Sequence, residues 1–246
     1  MEIPYVLKKA ATLLCIPVAL GAAAAPATAQ LQAVVYGGTE FDTQDLALFM
    51  LGASVHTTGL GPGIGVGIQG YNITFPIDAN TTETINAYQP QLELRYAFPT
   101  HSVQANIGYI FVDGKDVTPI GAPTGAEDGL VTALQANYWG SEGGASGDAI
   151  ASYNWGGEYF WGRVRGLQQV APLRSRGGVS LGAELVAQGT TADDDYRAFQ
   201  VGPVVEAALS PAFRLTGVVG AKLDNRADAP SVFPYFKLEF VAIPGL

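Results

Sequence analysis

Val179-Ser180-Leu181-Gly182-Ala183-Glu184-Leu185 alternates apolar residues with polar or small ones at almost every step. Successive side chains of a β-strand point to opposite faces, so this stretch predicts a strand with one apolar and one polar face. The same alternation recurs at residues 90–96, 103–109 and 236–240. The fold predicted from it is all-β, built from antiparallel strands that separate an apolar environment from a polar one.

About twelve such segments predict a single antiparallel, up-and-down transmembrane β-barrel, although counts from about 10 to 14 fit the alternation. Most segments have about the 9–11 residues that a tilted strand needs to cross a bilayer. An even count brings both ends of the barrel to the periplasmic side. The segments lie at residues 32–41, 45–56, 63–75, 87–98, 102–112, 129–139, 148–155, 158–167, 178–188, 196–208, 212–223 and 232–242.

The connections between the segments support the same fold. Short periplasmic turns and longer extracellular loops are typical of outer-membrane barrels. Connections are numbered by the segment they follow, so even-numbered ones are predicted on the periplasmic side. Tight even-numbered turns are predicted at Pro99-Thr100-His101 and Ser210-Pro211. The short Gly156-Gly157 turn and the long even-numbered connections at 140–147 and 168–177 depart from this pattern. Long odd-numbered loops are predicted at residues 76–86, 113–128, 190–195 and 224–231.

Aromatic residues near the predicted strand ends favour a membrane barrel, because such barrels carry aromatic girdles at both interfaces. The alternative is a soluble β-sandwich or a lipocalin-like cup, whose apolar faces would lie inside. The residues in question are Tyr138, Trp139, Tyr153, Trp155, Tyr159, Phe160 and Trp161.

The N-terminal residues 1–29 predict a secretory signal that is removed. Lys8 and Lys9 precede a short apolar run, and Ala27-Thr28-Ala29 has the small-residue pattern of a cleavage site. The run is shorter than the roughly 20 residues of a spanning helix, and Pro17 interrupts it. The mature chain, residues 30–246, is then one outer-membrane β-barrel domain exported by a Gram-negative-type bacterium.

Charge and cysteine content exclude several classes of function. Setting aside Glu2, Lys8 and Lys9 from the 22 acidic and 13 basic residues leaves 21 and 11, a net charge of −10. That balance argues against nucleic acid as a partner. Cys15 is the single cysteine and lies in the signal, so the mature chain has no thiol. The expected partners are outer-membrane lipid and lipopolysaccharide.

No residue pattern predicts catalysis, a cofactor or a metal site. Gly65-Val66-Gly67-Ile68-Gln69-Gly70 matches a dinucleotide-binding pattern, but it lies along a strand with no helix after it. His101 and Ser102 are adjacent on a strand and point to opposite faces, which disfavours a lipid-modifying enzyme. Asp193-Asp194-Asp195 lacks the ligand spacing of a calcium loop. We therefore expect a protein that is not an enzyme.

Charged residues on the inward faces are the candidate functional residues. Two interpretations remain open: a lumen closed by cross-strand ion pairs, or a hydrated path for a polar solute. Arg163 and Arg165 lie about 7 Å apart on one predicted strand, and Glu184 is one hairpin away, which predicts an ion-pair cluster. The inward candidates are Glu93, Arg95, Arg163, Arg165, Glu184, Glu206, Arg214, Lys222, Lys237 and Glu239.

Residues 139–206 resemble the BcsS family of outer-membrane barrels associated with bacterial cellulose biosynthesis. The resemblance covers under half of the mature chain, and the chain ends on 241–246 rather than on an aromatic residue. It rests on Ala151-Ser152-Tyr153, Tyr159-Phe160-Trp161-Gly162-Arg163-Val164-Arg165, Gly182-Ala183-Glu184-Leu185-Val186-Ala187-Gln188-Gly189 and Asp195-Tyr196-Arg197-Ala198-Phe199-Gln200-Val201-Gly202.

The resemblance implies a non-catalytic accessory role in cellulose biosynthesis or export. Cellulose or the cellulose-synthase machinery would then be partners. It carries no catalytic residue over to this chain. The alternative is a porin-like, general channel for small solutes, and the sequence leaves the oligomeric state open.

Overall fold

The computed structural model describes residues 30–44, 46–78, 81–113, 127–140, 144–173, 177–191, 196–225 and 231–244. The predicted signal and the Asp193-Asp194-Asp195 triplet lie outside these ranges. Within them, no helix is long and apolar enough to cross a membrane. The strands are Leu31–Asp42 (β1), Ala47–Thr57 (β2), Gly61–Asp78 (β3), Thr81–Ala97 (β4), His101–Asp113 (β5), Gly129–Trp139 (β6), Ala145–Asn154 (β7), Tyr159–Leu173 (β8), Gly177–Thr190 (β9), Arg197–Ser210 (β10), Phe213–Asp224 (β11) and Ser231–Ala242 (β12).

The twelve strands form one closed antiparallel barrel in which each strand pairs with its neighbours in the chain. Closure comes from β1 and β12, which pair from Val35 opposite Ala242 to Asp42 opposite Tyr235. Because the sheet closes on itself, its backbone N–H and C=O groups are paired around the whole circumference. The predicted fold class and strand number are confirmed.

The two faces of the barrel wall differ as the alternation predicts. Leu181 and Leu185 point outward, with 46% and 58% of their surface exposed, whereas Glu184 between them is 0% exposed. Leu238 and Lys237 on β12 show the same contrast, at 37% and 6%. The outer face is therefore an apolar band suited to lipid, and the inner face carries the polar groups.

Three predicted connections are wrong, because paired backbone extends into them. β3 and β4 continue as a hairpin through the predicted loop at 76–86, with Ile73 opposite Ile85. Thr74 and Thr84 share a 3.0 Å hydroxyl hydrogen bond in the same hairpin. β8 runs on to Leu173 with a bulge between Gln169 and Ala171, which leaves 174–176 between it and β9. β7 begins at Ala145, which shortens the connection predicted at 140–147.

The two ends of the barrel differ in their connections. One end, here called the terminal end, carries the start of β1, the end of β12 and the connections that follow β2, β4, β6, β8 and β10. The turn between β2 and β3 is tight because Gly59 and Gly61 adopt φ values of +113° and +88°, which side chains disfavour. The opposite end, here called the loop end, carries the other connections.

We expect Leu185→Arg to destabilise the folded barrel in a bilayer by about 2–4 kcal/mol if Leu185 lies near the midplane. The matched control is Leu60→Arg, in the turn at the terminal end, where Leu60 is 71% exposed. The same charge there should cost about 0–1 kcal/mol. The measurement is the fraction of fast-migrating, unboiled protein on a denaturing gel across a urea titration. Equal losses of stability in the two variants would contradict the outward assignment of Leu185.

Candidate functional site in the barrel interior

An ion cluster crosses the interior near the middle of β8, β9 and β12. Arg165 is directly opposite Glu184 in the β8–β9 register and donates hydrogen bonds to its carboxylate. Arg165 also bonds the Oε2 atom of Glu239 at 2.6 Å, and Lys237 Nζ bonds the Oε1 atom of Glu184 at 2.6 Å. The predicted pairing of Arg165 with Glu184 is confirmed.

Arg163 ties a third carboxylate, that of Asp148, to the same cluster. Its guanidinium lies 2.6 Å from Asp148 Oδ1 on β7 and 3.0 Å from Glu239 Oε1 on β12. Glu184 Oε2 lies 3.9 Å from Arg163 Nε, so the predicted contact is looser than that of Arg165. We call Asp148, Arg163, Arg165, Glu184, Lys237 and Glu239 the ion cluster.

A second group of charges extends the cluster to β1, β10 and β11. Lys222 Nζ lies 3.0 Å from Asp42 Oδ2 and 3.8 Å from Glu40 Oε1. Glu40 also accepts a 2.6 Å hydrogen bond from Gln200 and lies 3.8 Å from Lys237. Glu40, Asp42 and Asp148 were missing from the predicted inward set, although alternation along β1 and β7 would have pointed to them.

The cluster spans a chord of the barrel rather than lying along its wall. β8 and β12 are separated by three intervening strands, yet Arg163 and Arg165 both reach Glu239. Gly202 lies opposite Glu184, and Gly220 lies opposite Tyr235. A Cβ atom on Gly220 would lie 2.6 Å from the Tyr235 ring. The lack of a side chain on Gly220 thus leaves room for the buried Tyr235 ring.

The side of the interior bounded by β8–β12 is packed. Glu184 and Lys222 are 0% exposed. A buried apolar group adjoins the ion cluster and consists of Leu167, Val204, Val218 and Tyr235. Buried charges of this kind are tolerated only when paired, and here each has an oppositely charged partner.

Two of the predicted residues, Glu206 and Arg214, lie apart from both groups of charges. Glu206 on β10 accepts a 3.4 Å hydrogen bond from Thr216, and no ion pair between it and the cluster is found in the described part of the chain. Arg214 is the second residue of β11 and lies exposed at the terminal end.

The side of the interior bounded by β4–β6 has a different chemistry, because uncharged amide side chains dominate it. Gln89 donates to Gln91 at 3.2 Å, and Gln91 donates to Glu93 at 3.1 Å along β4. Gln104 donates to Asn106 at 2.8 Å on β5, and Gln135 donates to Asn137 at 3.0 Å on β6. The name amide strip is used here for Gln89, Gln91, Gln104, Asn106, Gln135 and Asn137.

The amide strip borders space in the lumen. Gln91, Gln104, Asn106, Gln135 and Asn137 point inward and are half-buried, unlike the buried charges opposite them. Their exposed surface therefore faces the interior rather than lipid. The sequence contained this signal as alternating Gln and Asn residues, but the prediction considered charged residues alone.

The glycines of β3 leave room for a charged side chain in the interior. Gly65 and Gly67 face inward, and Cβ atoms there would lie 3.0 and 2.9 Å from the carboxylate oxygens of Glu93. The stretch is a continuous strand, as predicted.

At the terminal end, the His101 ring stacks on Phe98 at 4.2 Å. Ser102 is buried and accepts a hydrogen bond from Asn137.

Comparison with known proteins shows the fold. No family model matches the chain, and no curated protein matches it. The COG4313 outer membrane channel from Pseudomonas putida F1 is similar with a TM-score of 0.54 and 13% identity, covering 89% of this chain and 97% of that one. The KdgM porin is similar with a TM-score of 0.50 and 8% identity, covering 85% and 98%. The chain thus has the fold of outer-membrane β-barrels, while these likenesses give no support to BcsS membership.

We expect Glu184→Ala to lower the unfolding temperature in detergent, because it leaves Arg165 and Lys237 without their shared carboxylate. Removing one partner of a buried ion pair typically costs about 3–5 kcal/mol. If the cluster also narrows the lumen, the same variant should raise single-channel conductance. The matched control is Glu206→Ala on the next strand, outside the cluster. Unchanged stability and conductance in Glu184→Ala would show that the cluster has neither role.

Proposed function

We propose that this protein is a narrow outer-membrane channel for small polar solutes. The observation that carries the proposal is the division of the interior. Buried ion pairs pack one side, and half-buried amides line the other. A barrel interior filled only by packing would bury both sides.

The charges of the ion cluster leave little net field along the path. Arg165 contacts Glu184 and Glu239, Lys237 contacts Glu184, and Arg163 contacts Asp148 and Glu239. Opposite charges at these distances largely cancel in their effect on a passing solute. The path beside them would then be lined mainly by hydrogen-bonding groups, which suits polar solutes of low charge.

The outer surface supports a place in the outer membrane. Exposed apolar residues such as Leu94, Leu134 and Val219 surround the barrel, at 61%, 67% and 59% exposure. Outer-membrane barrels combine such a band with a polar interior. The N-terminal signal predicted from the sequence fits export to that membrane.

Proteoliposome swelling tests the channel directly. Vesicles that contain the folded protein should swell in an isotonic solution of a small neutral sugar faster than empty vesicles. Gln135→Trp should slow the swelling, because the indole would occupy the space beside the amide strip. Leu134→Trp is the matched control, since Leu134 is the adjacent residue on the outer face. Swelling no faster than that of empty vesicles would refute the channel.

An accessory role in cellulose biosynthesis is the second candidate. The observation that favours it is the resemblance of residues 139–206 to the BcsS family, which includes Arg163, Arg165 and Glu184. The two candidates differ in a genetic test. Deleting the gene should lower extracellular cellulose if the accessory role is correct, and complementation with the wild-type gene should restore it. Unchanged cellulose in the deletion strain would exclude the accessory role and leave the general channel as the remaining candidate.

A further inference from the structure

The amide strip has an ordered geometry. On each of its strands, one side chain donates to the next inward residue, over 2.8 Å for Gln104–Asn106 and 3.0 Å for Gln135–Asn137. Gln104 and Gln135 are also directly opposite each other in the β5–β6 register. These bonds hold the amide planes in defined orientations along the wall, so the strip is preorganised rather than a set of independent side chains.

Hydrogen-bonding capacity remains after these internal bonds. An amide group has two N–H donors and a carbonyl oxygen with two lone pairs. Each internal bond takes one N–H from its donor and one lone pair from its acceptor. The half-buried amides therefore offer both a donor and an acceptor toward the lumen.

This combination matches hydroxyl groups. A hydroxyl both donates and accepts, and an amide can meet it in both roles. Carboxylates only accept and ammonium groups only donate, so a wall of charged residues would meet each hydroxyl in one role. A molecule with hydroxyls at successive carbons would use several amides at once, which favours saccharides and polyols over ions.

The charge distribution points to a neutral ligand. The charged residues beside the strip on β4 are Glu93 and Arg95, which have opposite signs and are two residues apart. Across the lumen, the cationic groups of the ion cluster already contact carboxylates. An acidic sugar would have to compete with those carboxylates for the cations. Each carboxylate of the ion cluster is in turn paired with a cation, so the cluster offers a basic sugar no unpaired carboxylate.

The length of the strip favours more than one sugar ring. Gln104 lies opposite Arg95 in the β4–β5 register. The strip therefore extends along the barrel from Gln89 to the level of Arg95, about 20 Å at a strand rise of roughly 3.3 Å per residue. That length is most of the roughly 25 Å height of the apolar band of such barrels.

We propose that the amide strip binds neutral oligosaccharides, with Gln104 and Gln135 at its centre. This inference deepens the proposed function and rests on it for the route by which a sugar enters the lumen. Binding is non-covalent, and the strip holds the sugar through hydrogen bonds from amides on β4, β5 and β6.

The test is a ligand-observed NMR titration of the folded barrel in detergent, with maltotriose as the neutral probe and trigalacturonate as its carboxylated counterpart. Maltotriose should bind saturably and more tightly than trigalacturonate. Gln104→Leu and Gln135→Leu should each raise its dissociation constant about fivefold, as expected for one net hydrogen bond. The matched control, Gln169→Leu, removes an exposed amide at the terminal end of β8 and should leave binding unchanged.

Absence of saturable binding, tighter binding of trigalacturonate, or equal effects of all three substitutions would overturn the saccharide strip. A circular dichroism spectrum and the heat-dependent gel shift establish that each variant is folded. The proposed channel fails separately: saturable binding in detergent without vesicle swelling would refute the channel and retain the binding strip. Swelling without saturable binding would refute the binding strip and retain the channel.

Discussion

Closure of the sheet by β1 and β12 is the constraint on which the rest of this molecule depends. Until Val35–Asp42 pairs with Tyr235–Ala242, two strands present unpaired backbone groups, which a bilayer cannot solvate. Closure also defines an inside and an outside. Every strand then has to place its apolar residues on one face, which explains why the alternation persists along the whole chain.

Closure also creates the ion cluster. Arg163 and Glu239 are 76 residues apart in the chain and meet because β8 and β12 curve toward each other across the interior. Charges that the alternation places inside have to be paired or hydrated. In this barrel Glu184 shares its carboxylate between Arg165 and Lys237.

The interior is asymmetric, and this asymmetry links the structure to function. Pairing draws the charged side chains of β8–β12 and β1 together, so that they fill their side of the lumen. The amides of β4–β6 bond along their own strands and remain close to the wall. Space is therefore left beside groups that can bind a polar solute without a strong preference for charge.

The sequence by itself determined the strand pattern, the facing of residues such as Leu185 and Glu184, and the pairing of Arg165 with Glu184. These features are local: a period of two sets the facing, and a single hairpin sets the register of β8 against β9. Where alternation weakened, at residues 76–86 and 168–173, the sequence failed to show that the strands continue. Backbone pairing does not require an alternating pattern there.

Only the tertiary structure decided that Glu239 joins Arg163 and Arg165, that Lys237 joins Glu184, and that Glu40 and Asp42 join Lys222. Their positions depend on how the sheet closes and on the stagger accumulated over all its strands, which no local pattern contains. The same holds for the two sides of the lumen. Alternation shows which residues point inward, but whether an inward side chain crosses the lumen or stays at the wall depends on the partner that closure places opposite it.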